Sequence, residues 1–170
     1  LRGAARAPAG RRHHRREVIF AERDKWSAVG QCAIEKTMSL VGTKSAMLLM
    51  REAYYGTTRF DDFARRVGIT KAATSARLAE LVEAGLLTKQ PYQEPGQRSR
   101  DEYVLTPAGT DFMPVVWAMF EWGRHHLGDT GLRLTHLGCG ADATVEIRCT
   151  EGHEVPPDEL GMKLARRRGR

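Results

Sequence analysis

The sequence predicts a mainly α-helical chain carrying one small β-hairpin, an α+β class, and three observations predict it. Between residues 32 and 85, apolar side chains recur every three or four positions in four short stretches, with glycines at 42, 56, 68 and 85 between them; that spacing places them on one face of a helix. Two β-compatible runs, 86–92 and 102–105, flank a polar loop holding Pro95 and Gly96, the pattern of a hairpin. Thr106 and Pro107 then open a last apolar-periodic stretch, threonine as N-cap and proline at the first helical position.

The elements come in this order. Residues 1–16 hold six arginines (Arg2, Arg6, Arg11, Arg12, Arg15, Arg16) and no acid, and lack the apolar content to fold, so a disordered basic arm is expected. In the segment 17–31, residues 18–26 are amphipathic at a period that fits helix or strand, and they are expected to pack on the main body. Ile34, Met38 and Val41 mark a first helix, which Gly42 is expected to stop in the left-handed conformation. Thr43 caps a second helix over 44–55, with Ala46, Leu49, Met50 and Ala53 inward. Thr58 with Asp61 gives a capping signal for a third helix, whose apolar face is Phe60, Phe63, Ala64 and Val67 and which Gly68 closes.

Thr70 then caps a fourth helix. Leu78, Leu81, Val82 and Thr74 form its buried stripe and Gly85 ends it, leaving Lys71, Ser75 and Arg77 outward or flanking. The hairpin loop carries Arg98 and Arg100, so its tip is basic. The helix expected over 107–127 has Phe112, Val115, Val116, Met119, Phe120 and Trp122 at core spacing, with Pro114 kinking it. With Trp117 these exceed what a small module needs for its own cover, and a subunit interface is the use expected for the surplus. Runs at 132–137 and 143–149 predict a small β-hairpin appendage within 129–162, and a basic tail, 163–170, ends the chain.

Charge distribution says more than the net value of +6. The arm and the tail together carry eleven basic residues and no acid, and the rest of the chain holds sixteen basic against twenty-one acidic residues. Any nucleic-acid footprint must therefore be local. Within 32–105 the balance is eleven basic to nine acidic. No apolar run approaches the length of a membrane span, and no apolar stretch precedes a cleavage site as a secretory signal requires. With three scattered cysteines, a reduced cytoplasmic setting is expected.

A helix, a turn and a second helix followed by a hairpin with a basic tip is the winged form of the helix-turn-helix. Its second helix presents N-terminal side chains to base edges in the major groove, and wing arginines reach backbone or minor groove. Thr70, Lys71, Ser75 and Arg77 are the candidate readers on the helix, and Arg98 and Arg100 those on the wing. Short Ser, Thr and Ala residues at the start of that helix let its backbone approach DNA closely. The acidic middle of the chain supports a second reading, a winged protein-interaction module without specific DNA binding. No Gly-x-Ser-x-Gly, Gly-x-Gly-x-x-Gly, P-loop or His-Glu-x-x-His pattern is present, so an enzyme is not expected.

The stretch from Cys32 to about Gly123, with RFDDF, TKAATSARLAELVEAGLL, Tyr103 and Leu105 ahead of Thr106 and Gly109, and Trp122 with Gly123, resembles the HxlR-type regulators, a group close to the MarR-type winged-helix proteins. The resemblance implies a homodimer made by the N-terminal segment and the helix after the wing, acting as a transcriptional regulator, a repressor in the commoner case, on a pseudo-palindromic double-stranded DNA operator. On that basis 32–105 is the DNA-binding module and 106–128 the dimerisation helix. A small molecule or an oxidant is the kind of inducer implied. Where the family has Gly-Gly-Lys-Trp, this chain has Gly42, Thr43, Lys44 and Ser45.

Cys32 falls where some members of the family carry an oxidant-sensing thiol. A helix N-terminus favours the thiolate, and a half-buried structural cysteine is the alternative. His136, Cys139, Cys149 and His153 are spaced H-x2-C-x9-C-x3-H, a candidate zinc set. A bare hairpin or a Cys139–Cys149 disulfide accounts for the same residues, and no cofactor is otherwise expected.

Overall fold

The computed structural model describes residues 32–96 and 98–161. The expected basic arm 1–16, the packing segment 17–31 and the tail 163–170 lie outside the described residues. Residues 32–145 and 146–161 belong to separate units. The first contains α1 (Ala33–Val41), α2 (Lys44–Tyr54), α3 (Phe60–Val67), α4 (Lys71–Glu83), β1 (Leu87–Tyr92), β2 (Arg100–Leu105), α5 (Pro107–Asp111) and α6 (Met113–His126). No helix among the described residues is long and apolar enough to cross a membrane.

The core lies where α2, α3, α4 and the hairpin meet. Leu49 and Met50 of α2, Phe63 of α3, Leu78 and Leu81 of α4, and Leu87 of β1 are fully buried, with Val41 closing one end. The Phe63 ring meets Tyr103 of β2 edge to face, centroids 6.2 Å apart, the favoured arrangement for an aromatic pair. The hairpin is antiparallel, pairing Leu87 with Leu105 and Tyr92 with Arg100. Its β2 edge continues onto the chain before α3, since the Tyr103 amide donates to the Thr58 carbonyl at 2.9 Å.

Local chemistry sets the helix starts. Thr43, Thr70 and Thr106 each accept a backbone N–H three residues on, from Ala46, Ala73 and Gly109, relieving donors that the first helical turn leaves unpaired. The capping signal at Thr58 is not used. Arg59 is the N-cap of α3 and makes no side-chain cap bond, because the Thr58 backbone is engaged with the hairpin. Gly68 is left-handed, φ 73°. Gly42 is not: its φ is −71°, and glycine is required there because a Cβ would collide with the Met38 carbonyl.

Three further expectations change. The helix expected over 107–127 breaks at Phe112, which ends α5 and precedes α6; Pro114 has no N–H to carry the ladder through, so it starts a new helix rather than kinking an old one. Helix α1 buries Val41 but leaves Ile34 73% exposed and Met38 exposed, and α6 buries only Val116 while Val115, Met119 and Trp122 are exposed. Periodicity predicts core positions in both helices. The runs 132–137 and 143–149 are not strands. Within the first unit, His136 and Ala141 pair through their backbones and a bridge joins Thr135 to Asp142. Within the second, one bridge joins Arg148 to Glu154. Each is a tight turn closed by a positive-φ glycine, Gly140 and Gly152. Leu137 is 99% exposed, so the apolar alternation has no face to bury.

Candidate nucleic-acid interface

The geometry of α4 follows from its sequence. Thr74 is wholly buried and its hydroxyl donates to the Thr70 carbonyl at 2.9 Å, which locks the first turn against the core with Leu78 and Leu81. Thr70, Lys71, Ala72, Ala73 and Ser75 are thereby left on the exposed side, and Arg77 is half-buried. Three of those five side chains are no longer than a serine, so the helix backbone presents little bulk to a groove.

The second predicted set stands on the hairpin. Arg98 lies in the loop, while Arg100 is the first residue of β2, opposite Tyr92, and not part of the loop as expected. Both are exposed, and neither forms an ion pair among the described residues. Helix α4 packs against β1, the strand paired with β2, so the helix set stands on an element that adjoins the hairpin carrying the wing set.

Sequence reasoning missed the residues that tie the hairpin and α3 to the rest of the module. The Arg59 guanidinium stacks on Tyr92, its Cζ 3.0 Å from the ring centroid, and its Nη1 is 3.8 Å from Glu102 Oε2. A cation on an aromatic face, with a carboxylate at ion-pair distance behind it, links the two strands to the start of α3. Deeper in, Glu52 of α2 is a buried carboxylate. Arg51 Nη2 donates to its Oε1 at 2.7 Å, and on the other side Arg66 of α3 lies 3.9 Å from Oε2 and donates to Thr57 Oγ1. Two guanidinium groups answer one buried charge, which would otherwise be costly. At the α3 N-terminus, the Arg65 guanidinium bonded to Asp62 holds that carboxyl below the usual carboxylate range.

Two carboxylates also stand at α4 itself. Asp61 of α3 lies 2.7 Å from Lys71 Nζ, and Glu80 is paired with Arg77 one turn away. The second pair has i, i+3 spacing and is legible in the sequence; the first joins two helices and is not.

Cys32 is the N-cap residue of α1, half-buried, with its carbonyl accepting from the Lys36 amide. All three cysteines are free thiols, Cys139 in the first unit and Cys149 in the second. His136 Nδ1 lies 3.1 Å from Cys139 Sγ in the first unit, and in the second the Cys149 amide donates to the His153 carbonyl. Among the described residues no three His, Cys, Asp or Glu side chains are gathered to hold a metal. An apolar cavity of about 190 Å³ lies between α2 and α6, lined by Met47, Leu48, Tyr55, Trp117, Met119 and Phe120 among others.

Comparison with known proteins places this architecture. The family model for the HxlR-like helix-turn-helix matches residues 40–130. The uncharacterized HTH-type transcriptional regulator Rv3095 of Mycobacterium tuberculosis is 35% identical over 127 residues, 72% of this chain and 79% of the relative. Among solved structures, PA1607, described as a candidate transcription factor, superposes with a TM-score of 0.70 at 26% identity, over 80% of this chain and 96% of its own. PA1374 from Pseudomonas aeruginosa, similarly described, gives 0.58 at 32% identity over 81% and 95%. The oxidized form of the redox regulator HypR gives 0.51 at 30% identity over 56% and 97%. These relatives are regulators and not enzymes, and the chain belongs to the HxlR-like helix-turn-helix family.

Proposed function

We propose that the protein is a transcriptional regulator, a repressor, that binds a pseudo-palindromic operator as a homodimer in the cytoplasm. The observation that carries the reading is the exposed N-terminal half of α4, with Thr70, Lys71 and Ser75 facing outward, beside a hairpin that bears Arg98 and Arg100. Helix α4 reads base edges, while the wing arginines and Lys71 contact phosphates and fix the register. Ile34, Met38 and Leu40 of α1 and Val115, Met119 and Trp122 of α6 are exposed, and these faces are the dimer contact. An inducer acts near that contact, either a small molecule in the α2–α6 cavity or an oxidant at Cys32.

The test is binding to DNA from the protein's own upstream region, titrated against salt, beside a variant with Lys71, Arg77, Arg98 and Arg100 changed to alanine. The wild type is expected to prefer one fragment over bulk duplex. The variant is expected to lose that preference, with the salt slope falling by about 0.9 for each phosphate contact removed.

A protein-interaction module is the second reading, favoured by the acidic balance outside the terminal segments and by the carboxylates already paired with Lys71 and Arg77. Equal, salt-insensitive behaviour of the two proteins would establish it instead.

A further inference from the structure

Four charges on the reading side of the module cancel in pairs. Lys71 Nζ and Asp61 Oδ1 are 2.7 Å apart, a charge-assisted hydrogen-bond distance, and Arg77 is bonded to Glu80. Arg98 and Arg100 on the wing have no such partner among the described residues. The cations of α4 are thus occupied before DNA arrives, and those of the wing are open.

We propose that Asp61 and Glu80 stand in for DNA acceptors in the free protein, and that DNA must displace them to engage Lys71 and Arg77. This rests on the reading of α4 as the DNA-reading helix and assigns to two acidic residues a role in setting its affinity. The side chains of Lys71 and Asp61 are 76% and 66% exposed. A pair open to water on that scale is weak and exchanges freely, so a phosphate or a guanine edge can replace the carboxylate. Asp61 keeps its place without the lysine, because it lies in the first turn of α3, where the unpaired N–H groups and the helix dipole favour an anion. Glu80 is one turn beyond Arg77 on the same helix and competes for the guanidinium whether or not DNA is present. The consequence is a division of labour. The wing supplies phosphate affinity at no exchange cost, and α4 contributes only the excess of its DNA contacts over the carboxylates they replace.

The experiment compares wild type with Asp61→Asn, Glu80→Gln, Lys71→Ala, Arg77→Ala and the doubles Asp61→Asn/Lys71→Ala and Glu80→Gln/Arg77→Ala. Fluorescence anisotropy reads binding to a duplex from the upstream region and to a scrambled duplex of equal length at fixed salt. Each single acid replacement is expected to tighten binding about threefold, the scale of one exposed ion pair. That gain should vanish in the double variant that lacks the matching cation, the signature of direct coupling. Asp61→Ser, which likewise removes the carboxylate, should tighten binding as Asp61→Asn does, and thermal melting confirms that each variant is folded.

The proposal is overturned if the acid replacements leave affinity unchanged, or if they tighten binding equally when Lys71 or Arg77 is absent, since the carboxylates then act only as general negative charge. If the cation variants weaken binding to the upstream duplex while the acid variants do nothing, this inference alone fails. If the cation variants bind as wild type does, the reading of α4 falls and takes the inference with it.

Discussion

Tyr54 shows how one side chain ties the helical module to the two helices beyond the wing. Its ring packs near Trp117 of α6, and its hydroxyl donates to the Gly109 carbonyl of α5 at 2.7 Å. Burial pushes the phenol up to about 12, against about 10 in an unfolded chain. The folded protein therefore holds the phenolic proton where the unfolded chain has released it. The stability from this group is complete below pH 10 and drains away as pH rises from 10 through 12. Tyr54→Phe should lose about 1 kcal/mol near neutral pH through the missing hydrogen bond, and urea denaturation should show the gap between wild type and variant narrowing across that alkaline window. Parallel curves for the two proteins would show that Tyr54 is not the titrating group. Glu52 also joins two helices, its buried carboxylate lying between Arg51 of α2 and Arg66 of α3.

At the scale of elements, α5 is a five-residue helix whose docking depends on Gly109. Its amide caps onto Thr106, its carbonyl receives Tyr54, and a Cβ at this position would run into the Leu86 carbonyl. Gly109→Ala is expected to destabilise the protein by about 1–3 kcal/mol, the usual cost of overpacking, and chemical denaturation measures it; an unchanged midpoint would mean that α5 can shift without loss. The start of α5 was legible in the sequence because a threonine cap followed by proline acts within one turn. The need for glycine was not, since Leu86 lies twenty-three positions away. The same division holds across the module. Helical periodicity and caps are local, and α2, α3, α4 and the hairpin could be read from them. The Arg59–Tyr92–Glu102 clamp and the Lys71–Asp61 pair join separate elements, and no spacing rule finds them. Residues 132–149 misled for a physical reason: alternation predicts a strand only where one face has something to cover it, and here Leu137 stands in solvent.

For the whole molecule, half of the exposed large apolar side chains among the described residues stand on two helices: Ile34, Met38 and Leu40 lie on α1, and Val115, Met119 and Trp122 on α6. Periodicity alone marked Ile34, Met38, Val115, Met119 and Trp122 as core positions, and they are core only if a second copy completes the core. Replacing Met119 and Trp122 with aspartate tests this, because both side chains are exposed, Trp122 at 59%, and the change should leave circular dichroism and the fold of α2–α4 intact. Sedimentation should then show a wild-type mass of two chains and a variant mass of one. DNA affinity should fall with it, by about 10²-fold or more, because a single module loses the effective concentration that joining two half-sites provides. The two readouts must move together. A variant that remains a dimer would place the interface elsewhere, and a monomeric wild type that still prefers its upstream fragment would mean that one winged module suffices for recognition.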